Sequence, residues 1–144
     1  MSVPPIKRSL SVKDKFKNLD LTNRHSLVFT ARKGVHPKVF FDLAGTIKMP
    51  ESKLATILNL SSRTLNNYKA LQKNLEPLYS EHLLKLIAIF ELGENVFGNI
   101  TEFMYWLDKP FWNAAEKPID WINTPGGVDL LTDELNRLAQ GYPI

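Results

Sequence analysis

PESKLATILNLSSRTLNNYKA, residues 50–70, is the stretch whose reading decides the fold. Leu54, Leu58, Leu65 and Tyr68 recur at helical spacing, which gives two consecutive short helices a shared apolar face. Short helices that cross steeply must approach closely, and Ala55 is the small residue such a crossing needs. The turn between them requires tolerance of positive φ. Asn is the usual substitute for Gly in that conformation, and Asn59 stands there. Leu60 then plugs the corner, and Ser61 is placed to cap the second helix. The pattern predicts a helix–turn–helix whose second helix enters a DNA major groove. Its groove-facing candidates are Ser62, Arg63, Thr64, Asn66, Asn67 and Lys69. Arg63 suits the paired acceptors of guanine, and Asn66 or Asn67 the donor–acceptor edge of adenine. An αα-hairpin with a polar face would give similar spacing, so the motif alone does not settle function.

On the N-terminal side, residues 1–20 carry Pro4, Pro5, scattered lysines and few large apolar groups. That composition predicts a mobile arm, because little burial is available to offset ordering entropy. A short helix is expected over Thr22–Lys33, with Leu27 and Ala31 one turn apart and Gly34 ending it. Pro37 suits the first turn of the next helix, whose Phe40, Leu43, Ala44 and Ile47 form one stripe. On the C-terminal side, Ser80–Phe97 is apolar nearly all round, as befits the central helix of a bundle. Ile100, Phe103, Met104, Trp106 and Leu107 make a further stripe that stops near Lys109-Pro110. Pro118 opens a helical turn, and Thr124-Pro125 starts a last helix with Val128, Leu131, Leu135 and Leu138 inward. Gly141 ends that helix and leaves Tyr142, Pro143 and Ile144 as an apolar tail. No alternating strand pattern of useful length occurs, so the class is all-α.

The charge is divided along the chain. Residues 1–36 carry eight Lys/Arg against two acids, residues 37–77 six against three, and residues 78–144 four against ten. A basic half suited to phosphate is thus joined to an acidic half that phosphate repels. With 44% hydrophobic and 23% charged residues the composition is that of a globular protein. No cysteine is present, which excludes disulfide and thiolate chemistry and fits a reducing cytoplasm. No run approaches the ~18 apolar residues of a membrane helix, and Lys7-Arg8 is followed by no apolar stretch. A cytoplasmic protein with no membrane partner is expected.

Catalytic sets are missing from the pattern. His25, His36 and His82 lack metal-ligand spacing and read as surface or half-buried imidazoles, so no metal, cofactor or enzymatic activity is expected. Asp129, Asp133 and Glu134 read as a solvated helix face, and Gly126-Gly127 lacks the setting of a nucleotide loop. Trp106 and Trp121 read as core. Trp112, followed by polar Asn113 and Glu116, reads as the exposed exception.

Taken in order, LATILNLSSRTLNNY (54–68), ELGENVFGN (91–99), WLDKPFW (106–112), KPIDWINTPGGVDLLTDELNRLAQG (117–141) and the final GYPI (141–144) resemble the Xre/MbcA/ParS-like antitoxins. The resemblance runs from about residue 37 to 144. It departs at Gly126-Gly127, where a larger second residue is common, and in the long basic arm. It implies an Xre-type helix–turn–helix followed by a small helical toxin-binding domain, in a type II toxin–antitoxin pair. The implied partner is a RES-domain toxin that consumes NAD, its active-site cleft occupied by the antitoxin's C-terminal segment. The expected division is a basic arm and short helix over 1–36, a DNA-binding domain over 37–97 and a toxin-binding domain over 98–144. Expected toxin contacts are Trp112, Gly141, Tyr142, Pro143 and Ile144. Operator DNA, a homodimer and a toxin–antitoxin hetero-oligomer complete the expected partners. The alternative is a stand-alone helix–turn–helix transcription regulator with a C-terminal dimerisation module.

Overall fold

The computed structural model describes residues 10–21, 23–111 and 115–141. Its fold is all-α, with no strand among the described residues. The helices are α1 (Val12–Lys15), α2 (Arg24–Lys33), α3 (Pro37–Ile47), α4 (Glu51–Ile57), α5 (Ser62–Leu71), α6 (Pro77–Phe97), α7 (Ile100–Leu107) and α8 (Pro125–Ala139). A 3-10 turn, Pro118–Trp121, precedes α8.

Helix ends follow local chemistry. Asn23, Ser61, Asn99 and Thr124 each turn a side-chain oxygen onto a backbone N–H of the first turn, satisfying donors that have no partner within the helix. His36 does the same with a ring nitrogen, its Nδ1 accepting from the Lys38 N–H at 3.0 Å. Prolines open α3, α6 and α8, where a missing N–H costs nothing. For α6 this moves the start to Pro77, three residues ahead of the expected Ser80.

α6 is the spine of the molecule. Leu83, Leu84, Leu86, Ile87, Ile89 and Phe90 are all buried, and α1, α2, α3, α7 and α8 pack around it. Burial on every side explains why its sequence shows no polar stripe. From α8 it receives Val128, Leu131 and Leu135, the expected inward set, while Leu138 is half-buried. An ion pair, Lys85 Nζ to Asp129 Oδ2 at 2.8 Å, adds a tie between the two helices. Asp129 is therefore engaged rather than simply solvated, and Glu134 pairs with Arg137 at 3.4 Å.

α7 approaches α6 at Gly93. A Cβ there would lie 2.4 Å from the Phe103 ring, so only glycine admits the ring. Mid-helix glycine costs roughly 0.5–1 kcal/mol in backbone entropy; burying Phe103 completely more than offsets it. From Phe103 a run of ring contacts passes through Trp106 (6.0 Å) and Phe111 (6.3 Å) to Trp121 (5.0 Å), lacing α7 to the 3-10 turn. Trp106 and Trp121 are half-buried in this run, in keeping with a packing role.

Two expectations need correction. The mobile arm expected over residues 1–20 does not describe residues 10–20. Val12 is fully buried, Phe16 is 6% exposed, and the Val12 N–H donates to Glu94 Oε2 on α6 at 3.0 Å. Two apolar side chains one turn apart, with a carboxylate receiving the helix start, hold a four-residue helix that its own length would not sustain. His82 is the second correction. It is 3% exposed rather than half-buried, and its Nε2–H donates to the Ile122 carbonyl at 2.8 Å. Loss of hydration around the ring lowers its pKa below the ordinary 6.5.

Candidate nucleic-acid interface

The second helix of the motif is positioned by the residues the spacing singled out. Ala55 is 2% exposed, and its carbonyl accepts from the Leu60 N–H at 2.9 Å, closing the turn. Asn59 takes φ 60°, the left-handed conformation for which an Asn was needed. Leu60 is buried at the corner. Ser61 Oγ accepts from the Thr64 N–H at 3.0 Å and donates to Thr64 Oγ1 at 2.8 Å. At the far end Gln72, at φ 48°, ends α5, and the Lys73 N–H returns to the Tyr68 carbonyl at 3.0 Å.

Leu65 is the buried residue of α5, and it fixes the direction of every other side chain. At ~100° per residue, Arg63, Asn67 and Ala70 project within about 40° of the direction opposite Leu65, and Asn66 lies about 100° from it. Arg63, Asn66 and Asn67 are all exposed. They form one polar face with the donors and acceptors that base edges require. Ser62 is exposed at the first turn. Thr64 is also exposed, but its hydroxyl oxygen already accepts from Ser61, so it serves the cap first. Lys69 lies only about 40° from Leu65. Its Nζ rests 4.5 Å from the centroid of the Phe41 ring on α3, a cation–π contact on the flank of the face. Tyr68 is half-buried beside Glu76 and Tyr79. Desolvation, followed by the Glu76 charge, raises its phenol pKa.

The surroundings are basic. Lys48, Lys53, Arg63 and Lys73 are exposed and form no ion pair among the described residues, so their charge is available to an anionic partner. Lys15 of α1 lines the same shallow groove as Phe41, which brings the basic N-terminal segment up to α3 on the side where Lys69 rests. Sequence spacing gave no sign of that neighbour.

Residues 26–88 match the family model of the antitoxin Xre-like helix-turn-helix domain.

The matched region contains all but the first two residues of α2, all of α3, α4 and α5, and the first half of α6. No curated protein gives a significant match. Beyond the matched region, Gly141 is exposed at φ 87° at the end of α8. The expected toxin contacts Trp112, Tyr142, Pro143 and Ile144 lie outside the described residues. Among the described residues no group of three or more His, Asp or Glu is placed to hold a metal ion, and no helix is long and apolar enough to cross a membrane.

Past the matched region, the two glycines that open α8 stand in different surroundings. A Cβ on Gly126 would meet open space, whereas a Cβ on Gly127 would fall 1.8 Å from the Trp121 carbonyl oxygen. The first turn of α8 sits against the end of the 3-10 turn, and the second glycine is what lets it sit there.

Proposed function

We infer that this chain is the antitoxin of a type II toxin–antitoxin pair, with α5 reading operator DNA and residues 98–144 holding a RES-type, NAD-consuming toxin. One observation carries the DNA-reading half. Arg63 and Asn67 point away from buried Leu65, with Asn66 exposed on their flank, on the second helix of a region that matches the Xre-like antitoxin domain. The toxin-binding half is supported by the family resemblance of the WLDKPFW, KPIDW and GYPI segments and by the acidic balance of residues 78–144. Two copies related by a two-fold axis would present α5 to half-sites about one helical turn apart. Trp112 and the tail Gly141–Ile144 are the proposed contacts with the toxin cleft.

The test uses the full chain, the duplex upstream of its own reading frame and the product of the adjacent gene. Neutralisation of that product, lost on deleting residues 141–144 while duplex binding persists, is the expected result. Duplex binding without any neutralisation would refute the antitoxin role and leave a stand-alone regulator.

A further inference from the structure

Asn59 does more than tolerate a left-handed turn. Its Nδ2 donates to the Asn123 carbonyl at 2.9 Å, across 64 residues of sequence. Glycine would satisfy the backbone equally well but would lack the donor. The acceptor stands in a short loop held on both sides. Ile122, fully buried, gives its carbonyl to His82 of α6, and Thr124 caps α8 through its hydroxyl. Meanwhile α4 and α5 make their main packing contacts with each other and with α3. The Asn59–Asn123 bond therefore joins the helix–turn–helix pair directly to the segment that starts α8.

We propose that the Asn123 loop is a positioning element for the recognition helix, coupling DNA bound on α5 to the state of the C-terminal segment through the Asn59 amide. The inference rests on the DNA-reading role proposed above. Allosteric coupling requires an element whose arrangement both sites bias, and this loop is bonded to the turn on one side and begins α8 on the other. Being exposed and uncharged, the bond contributes little net stability, so its removal changes orientation far more than folding. Reciprocity then requires that DNA on α5 alter the loop and that a ligand of the C-terminal segment alter DNA affinity.

Asn59→Gly keeps the positive φ and deletes the donor. Three quantities are compared in the full-length wild type and variant: thermal midpoint, affinity for the duplex upstream of the chain's own reading frame against a scrambled duplex, and amide hydrogen exchange over residues 122–128 with and without duplex. The expected variant melts close to wild type. It loses affinity for the upstream duplex by at most about five-fold, the ceiling that one such hydrogen bond sets, and nothing for the scrambled one. In the wild type, duplex slows exchange over 122–128; in the variant it does not. Wild-type protein that binds the duplex with no change over 122–128, or a variant that retains both affinity and response, would overturn the coupling alone. Failure of the wild type to prefer the upstream duplex would overturn the DNA-reading role and this inference together.

Discussion

Adjacent glycines in the first turn of α8 make a matched pair of perturbations. Alanine at either position gains helix propensity, worth about 0.5–1 kcal/mol relative to glycine. At Gly126 the new methyl enters open space, so the gain is kept. At Gly127 it arrives 1.8 Å from the Trp121 carbonyl oxygen and 2.9 Å from its carbon. Ordinary carbon–oxygen contacts lie near ~3.3 Å, so the backbone must open by about 1.5 Å. The obstacle is main chain, not the tip of a flexible side chain. Opening it strains the Thr124 cap, whose Oγ accepts from the Gly127 N–H at 3.0 Å, and draws on the Ile122–His82 bond just behind. Overpacking costs roughly 1–3 kcal/mol and a lost cap about 1 kcal/mol. Net of propensity, Gly127→Ala is expected to lose ~1–3.5 kcal/mol while Gly126→Ala gains somewhat under 1 kcal/mol. At ~2.1 cal/mol/K per residue, a chain of this length shifts its midpoint by about 3 °C per kcal/mol. Calorimetry should therefore place the two variants on opposite sides of wild type, about 5–14 °C apart. A Gly127→Ala protein melting at or above Gly126→Ala would refute the close approach of α8 to the 3-10 turn.

Leu131→Ala removes a fully buried side chain between α8 and α6, with an expected loss of about 2–5 kcal/mol read from denaturant midpoints; an unchanged midpoint would place Leu131 outside the core. Burial lowers the His82 pKa below 6.5, so the unfolded chain gains this proton at a higher pH than the native one. Stability conferred by neutral His82 is thus complete above pH ~6.5 and declines as pH falls toward the lowered native value. His82→Gln, which has an amide to offer Ile122, should flatten that decline in urea midpoints measured across pH ~5–7.5. Coincident profiles for the two proteins would exclude His82 as the source. Arg63→Ala is expected to cost roughly 1–3 kcal/mol on the specific duplex with non-specific binding largely intact. Full specific affinity in the Arg63/Asn66/Asn67 triple alanine variant would show that α5 does not read base edges.

What could be read from sequence was set by local constraint. Asn59, Leu60 and Ser61 occupy positions where backbone conformation, corner filling and capping each restrict the residue type, so the turn was placed to the residue. Proline and glycine punctuation located α3 and α8 in the same way. Long-range relations left no periodic trace. Val12 and Phe16 are two apolar residues among lysines, and what fixes them is a spine helix some 80 residues away. The acceptor for His82 lies 40 residues on, and the acceptor for Asn59 lies 64. The polar face of α5 was legible as a set of residues, but the folded arrangement separates Lys69, resting on Phe41, from Arg63, Asn66 and Asn67.

A spine shared by both ends of the chain has a consequence for the protein's birth on the ribosome. α6 is synthesised before the helices that cover it on one side, and Leu135 is the last of its buried partners among the described residues. Polymerising residues 98–135 takes about 2–8 s at rates of roughly 5–20 residues per second. Until its end, the side of α6 that α8 covers stays open to solvent. The unfinished chain then carries exposed apolar surface, which makes it aggregation-prone until α8 is complete.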